Sequence, residues 1–496
     1  MLIKKTIKSV ALIVGLTLIL GFTACSEPGG GGGGPSGGNS GGVGGSGGGG
    51  STGGGGGTLA FELINNGTEY RVRKGTVTSG DVIIPAYYNG PGRAAGEGLP
   101  VTEIGSADDD ENNGAFSKTN ITSITIPETV KSVGRGAFRD CARLNSITIP
   151  EGVTEIGAYA FYNTAWWNRQ PDGLVYVGKI LHTYKGTMPA NTIINNIRED
   201  TIAIDNAAFY NCTNLTSITI PEGVKKIGVY AFFECTNLSG ITIPSSVTSI
   251  GNYAFQSCIS LTSITISAGI TSIGDYAFSG CGSLTSIEIP ASVTSIGQNA
   301  FGLCNDLTSI TVDAGNPNYA SQDGILYNKA KTEIIQVPNA ISGSITIPTG
   351  VTSIGMSAFT LCTKITSITI PNGVISIGDN AFSGCGSLTS IEIPASVTSI
   401  GWSAFRLCAS LASVTIPASV TSIGSSAFYF CRNITSITIP ASVTSIGYAF
   451  GGWTSSQTIN VPFANQEAAY AAWGTDWRRE DDGGSFNSNV RIRYTG

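Results

Sequence analysis

One histidine in 496 residues, charged side chains at only 12%, and no cluster of lysine or arginine beyond the N-terminus narrow what this chain can do. A soluble domain ordinarily carries about 25% charged residues, so the outer surface must be covered largely by Ser, Thr, Asn and Gly. With a net charge of −6 and no basic stripe to neutralise phosphate, nucleic acid is excluded as a partner. The lone His182 has no Ser or Cys constellation around it and reads as a surface residue rather than a general base. No phosphate-binding glycine motif follows a strand, and no row joins Cys to His or carboxylate as a metal site requires. The sequence therefore reads as a non-enzyme with no cofactor and no metal. Long apolar runs are missing too. Val10 to Leu20 is a run of eleven, against the ~20 residues that span a bilayer as a helix.

What is present is a repeat. The pattern L-T-S-I-T-I-P-x-x-V-T-S-I-G-x-x-A-F-x-x-C returns mostly at an interval of 23 residues, its Phe falling at positions from Phe116 to Phe450. A fixed period of this size marks a stack of similar coils, each burying its apolar side only against its neighbours. Within Leu284–Pro290, Ile287 and Ile289 share one face at period two, while Ser286 and Glu288 point the other way. Pro290 ends the strand because it cannot donate to a ladder. Val293 and Ile296 turn inward again, and Ala300, Phe301 and Cys304 close the coil. Residues 279–297 and 383–401 are identical, an internal duplication.

The ends differ from the repeats. Lys4, Lys5 and Lys8 followed by Val10–Leu20 and Phe22-Thr23-Ala24-Cys25 have the order of an export signal. The last four residues resemble the lipobox of bacterial lipoproteins, with Phe22 in place of the consensus Leu, which implies that Cys25 is lipidated and becomes the mature N-terminus. Residues 29–57 hold 21 glycines, a flexible tether with a root-mean-square reach of roughly 30 Å. The division expected is a signal peptide over 1–24, lipidated Cys25 and tether over 25–57, and an N-terminal β cap over 58–100. A solenoid over 101–453 and a C-terminal cap over 454–496 follow, the latter with a short helix from Asn465 to Trp473 and a strand over Val490–Tyr494. The acidic loop Asp108–Glu111 lacks EF-hand spacing and reads as solvated. Hairpin inserts are expected near 165–190 and 313–343, where Asp172–Tyr176 and Asp323–Tyr327 are each followed by a Lys-bearing turn and a second apolar run.

The motif, nearly intact at residues 284–304 and 388–408, resembles the 23-residue leucine-rich repeat of BspA-like and treponemal surface proteins. The resemblance covers roughly residues 101–450, with Ser267 and Gly269-Ile270 as departures and residues 193–209 degenerate. It implies an α/β-type, mostly β solenoid of about 13 coils with a concave parallel sheet and capped ends. A parallel β-helix is the alternative architecture. It also implies display outside the cell, anchored in a bacterial membrane through the N-terminal lipid, for adhesion to an extracellular protein or glycan. A structural coat or spacer with no specific ligand is the alternative function.

Ten cysteines besides Cys25 fall in one register, from Cys141 to Cys431. They read as buried free thiols filling a small apolar place, because parallel Cβ vectors in a stack oppose the disulfide torsion. Two sets of ligand-contacting residues are candidates. The aromatic side chains of the inserts, Trp166, Trp167, Tyr176, Tyr184, Tyr319 and Tyr327, read as exposed and are preferred, since aromatic residues dominate binding hot spots. The alternative is the outward strand row that includes Ser217, Thr219, Thr265, Glu288, Thr311, Thr369 and Glu392.

Overall fold

Alternation along each strand decides what is buried. In Ser286–Ile289 the two isoleucines are buried, and Ser286 and Glu288 are exposed. Repeating that choice in every coil gives two stacked parallel sheets facing a common core. In the computed structural model, which describes residues 57–94, 96–106, 113–475, 477 and 490–496, the first sheet is built from three- to six-residue strands. Leu215–Thr219, Gly240–Thr242 and Ser263–Thr265 pair in parallel, Ser217 opposite Gly240 opposite Ser263. The second sheet is built from the Ser-Ile pairs after each Val-Thr, such as Ser249–Ile250 beside Ser272–Ile273. Cys25, nearly all of the tether and the loop Asp108–Glu111 lie outside the described residues.

The third side of the coil is a run of turns, not a helix. Its backbone is nevertheless stitched to the next coil, the N–H of Phe232 donating to the Ala254 carbonyl at 2.7 Å and that of Phe255 to Ala277 at 2.7 Å. The glycine after each short strand is required by close approach. A Cβ on Gly251 would lie 2.6 Å from the Gly228 carbonyl carbon, well inside van der Waals contact. Among the described residues the α-helices are Ala165–Arg169 and Gln466–Trp473. The latter is capped by Asn465, which accepts from the Ala468 N–H at 3.0 Å. The result is a mostly β leucine-rich repeat solenoid of about 15 turns. Thirteen were expected from the Ala-Phe marks; the two hairpin-bearing turns lack that mark yet still supply a rung.

Those hairpins are therefore part of the stack rather than grafts on it. Gly173–Val177 pairs antiparallel with Ile180–Lys185, and the latter strand pairs parallel with Ala203–Ile204. Tyr319–Gln322, Ile325–Asn328 and Glu333–Gln336 form a meander whose last strand pairs parallel with Ser353–Ile354. The N-terminus uses the same device, Ala60–Ile64 against Glu69–Arg73, with the second strand parallel to Leu99–Ile104. Each hairpin opens a new second sheet, and the buried apolar residues form three clusters that follow the same division. The core phenylalanines stack within each stretch, Phe232 on Phe255 at 5.0 Å and Phe405 on Phe428 at 5.4 Å. At the C-terminus, Thr458–Val461 and Arg491–Tyr494 continue the first sheet in parallel. Trp453, Trp473 and Trp477 cover its last turns.

Candidate functional site

On the solvent side of the first sheet, the outward residues of three successive coils form a groove of about 460 Å³. Ser217, Gly240 and Ser263 make one line of its floor, and Thr219, Thr242 and Thr265 the other, with Glu222 and Pro244 at the side. Behind it Ile218, Ile241 and Ile264 are buried and hold the strands in place. Gly240 stands where its neighbours carry Ser, and a Cβ there would meet nothing within 4 Å. The missing side chain leaves a notch in the floor.

Hydrogen bonding separates two kinds of hydroxyl on this sheet. One residue upstream, each side chain is used to tie coils together: Thr216 donates to the Thr192 carbonyl at 3.0 Å, Ser239 to Thr216 at 3.3 Å and Thr262 to Ser239 at 3.2 Å. At the N-terminal end, Thr122 and Ser123 both donate to Asp81 Oδ1 at 2.7 Å, which holds that carboxyl below its usual range. In the groove, by contrast, the hydroxyls of Ser217, Thr219, Thr242, Ser263 and Thr265 have no partner among the described residues. Glu288, Thr311, Thr369 and Glu392 are exposed on the same side of their strands. Glu288 faces Thr311 across one pair and Thr369 faces Glu392 across another, but none of the four lines this groove.

The inserts differ from the expectation of exposed aromatics. Tyr327 is only 1% exposed, and burial together with Asp323 pushes its hydroxyl up to about 12. The other five are half-buried and internally engaged. Trp166 packs edge-on against Phe161 at 5.3 Å, and Lys185 lies over Trp167 at 5.6 Å while donating to the carbonyls of Trp167 and Gln170. The hydroxyl of Tyr176 accepts from the Arg198 N–H at 3.1 Å, and that of Tyr319 from the Ile296 N–H at 2.8 Å. Tyr184 packs against the buried core of the second stretch. The physical reason is that each hairpin strand is a rung, so its larger side chains seal the junction between stretches.

His182 is likewise buried, not on the surface. Its Nδ1 lies 2.6 Å from Asp205 Oδ2, and its ring stands edge-on to Phe161 and Trp167. Burial raises the Asp205 carboxyl, opposed by its hydrogen bond to His182. Asp205 occupies the position of Gly228 and Gly251 in later coils, so the pair replaces two glycines at the first hairpin junction. Nine of the repeat cysteines are buried free thiols. Cys212, equally buried, is disulfide-bonded and corrects the expectation of ten. Its partner is not another repeat cysteine, since the other nine are free.

One surface escaped the sequence reading. Tyr230, Tyr253 and Tyr276 sit two residues before the core Phe of successive coils, and their rings stack. Their 23-residue spacing was the available signal, masked by attention to the more regular Ala-Phe mark.

The two sheets, the stitched turns and the buried Leu-Ile-Val-Phe-Cys rows define a leucine-rich repeat solenoid. The model of the BspA type leucine rich repeat region matches in six copies over residues 111–170, 202–323 and 339–459, more than half of the chain, which therefore belongs to that family. The stretches between the matches contain the two hairpins. No curated protein matches significantly. Among solved structures, the chain is similar to a leucine rich cell surface protein from Faecalibacterium prausnitzii A2-165, at 27% identity and TM-score 0.46 over 88% of this chain and 93% of that one. It is also similar to the pneumococcal vaccine antigen PcpA, at 17% identity and TM-score 0.42 over 88% and 97%. A leucine-rich repeat protein from Bacteroides ovatus gives 24% identity and TM-score 0.37 over 88% and 98%.

Proposed function

We propose that this protein is an exported bacterial lipoprotein, anchored through Cys25 and displayed at the cell surface, whose groove over residues 217–265 binds an extended extracellular protein or glycan. The observation that carries the reading is the line of unpartnered hydroxyls, three Thr and two Ser, flanking the Gly240 notch. Each hydroxyl both donates and accepts, and successive coils offer the same pair about 4.8 Å apart. A chain of amides or sugar hydroxyls running along the stack meets the same groups at every step. The order of residues 1–25 and the glycine tether support display away from a membrane.

The test is capture of the full chain on immobilised matrix proteins and glycans. Changing Thr219, Thr242 and Thr265 together to Ala is expected to weaken capture at least about tenfold, at a net of about 1 kcal/mol per lost hydrogen bond. All three side chains face solvent, so folding should survive. Undiminished capture by the triple variant, with loss in Trp167→Ala, would move the site to the inserts. No capture by the parent chain on any surface would favour a coat or spacer.

A further inference from the structure

In the second stretch, Tyr230 stacks on Tyr253 at 4.8 Å and 10°, and Tyr253 on Tyr276 at 5.2 Å and 3°. Tyr210 stacks on Phe233 at 4.9 Å, and Phe233 stands edge-on to Tyr230 at 5.5 Å. All five rings are half-buried on the turn side of the coil, away from the groove. The fold does not need them. The third stretch carries Ser357, Asn380, Ser403 and Ser426 at the tyrosine position and keeps the same Phe stack. Nor does the backbone favour them. Tyr230, Tyr253 and Tyr276 have φ of 57°, 58° and 54°, a left-handed conformation that Asn tolerates far better than an aromatic residue.

The chain itself shows what such rings hold. In the first stretch the equivalent residues are Tyr159 and Tyr162, and the guanidinium of Arg139 lies 5.4 Å from each ring centre. In the third, Arg406 lies 5.3 Å from Tyr429 in the corresponding place. In the second stretch the arginine position is Tyr210, so the rings carry no cation from the chain at that place. A carboxylate is there instead. Glu234 is half-buried beside Tyr210, has no hydrogen-bond or ion-pair partner among the described residues, and is pushed up by burial.

We propose that Tyr210, Tyr230, Phe233, Tyr253 and Tyr276, with Glu234 at their edge, form a docking surface for an arginine-bearing extended segment of a partner protein. The planar guanidinium lies against ring surface while its N–H groups donate to phenol oxygens and to the Glu234 carboxylate. This surface is independent of the hydroxyl groove.

The test is fluorescence anisotropy of the full chain with a labelled peptide of arginines spaced by Gly and Ser, its lysine counterpart and a Gly-Ser control. The arginine peptide is expected to bind several-fold more tightly than the lysine peptide, and the control not at all. Tyr253→Ser, which installs the residue of the third stretch, is expected to weaken arginine binding roughly 3- to 30-fold with an unchanged melting curve. Glu234→Gln should weaken it and reduce its salt dependence. Should Tyr253→Ser melt early, Tyr276→Asn makes the same comparison. The Thr219, Thr242 and Thr265 triple variant should bind the peptide as the parent does, which separates this surface from the groove. Equal binding of the two cationic peptides, parent-like binding by the folded tyrosine variant, or no binding by the parent would each overturn the proposal.

Discussion

Cysteine in this stack is a hydrogen-bond donor as much as a small apolar filler. Cys258 Sγ reaches the Phe232 carbonyl at 3.2 Å, Cys281 that of Phe255 at 3.2 Å, and Cys431 that of Phe405 at 3.0 Å. Where the column ends, Trp453 Nε1 donates to the Phe428 carbonyl at 2.8 Å and does the same work. Burial pushes the thiols of Cys304, Cys385 and Cys431 up to about 12, from an ordinary value of 9.0. A folded-state value above the unfolded one gives stability that is full below the unfolded value and is lost as pH rises toward the folded one. The window is therefore pH 9 to 12, and each thiol contributes a slope of about 1.4 kcal/mol per pH unit within it. Urea midpoints followed by circular dichroism should fall steeply above pH 9, and Cys304→Ser should make the fall shallower. A midpoint flat between pH 9 and 11 would contradict burial of the thiol column.

At the scale of elements, the hairpins decide how the repeats join. The sequence marks them correctly as hairpins, because Asp-Gly before an apolar run and a Lys-bearing turn are local signals. It does not show that the second strand becomes a rung, since that depends on pairing with Ala203–Ile204 and Ser353–Ile354. The first junction is locked by His182 on Asp205 and by Lys226 paired with Glu155 across the hairpin. Removing one partner of a buried pair strands the other, at a cost of about 3–5 kcal/mol. Asp205→Ala should lower unfolding stability by that order in urea titration, whereas Lys226→Ala, at a more exposed pair, should cost under about 1 kcal/mol. Similar losses in both variants would remove the His-Asp pair from its role. The same logic explains the misplaced aromatics: Tyr176, Tyr319 and Tyr327 look exposed in a graft and are engaged in a rung.

As a whole molecule, the chain is a ruled surface of about 15 turns preceded by a glycine-rich stretch and an N-terminal lipoprotein-like signal. Two chemically distinct faces follow from one repeat. The strand side offers neutral hydroxyls, and the turn side offers stacked rings with a carboxylate. Among the described residues no helix is long and apolar enough to cross a membrane, so attachment in this proposal rests on lipid at Cys25. Cys25→Ala should move the protein from the detergent phase to the aqueous phase in phase partitioning of expressing cells. Detergent-phase retention of that variant would show that attachment does not depend on this cysteine.

Period two in Ser286–Ile289, period 23 in Ala-Phe and the Pro and Gly punctuation fixed the solenoid from sequence alone, because every coil makes the same local choice and only neighbours touch. The outward row Ser217, Thr219 and Thr265 was legible for the same reason. Three things required the tertiary structure. Which hydroxyls are free depends on whether a carbonyl of the previous coil lies within reach, as it does for Thr216 and Thr262 and not for Thr219. The burial of His182 and Tyr327 depends on strands that pair across long separations. The tyrosine stack depends on a left-handed backbone that aims three rings along one axis. Local periodicity sets which way a side chain points; the partner it meets there is set by the coil above and the coil below.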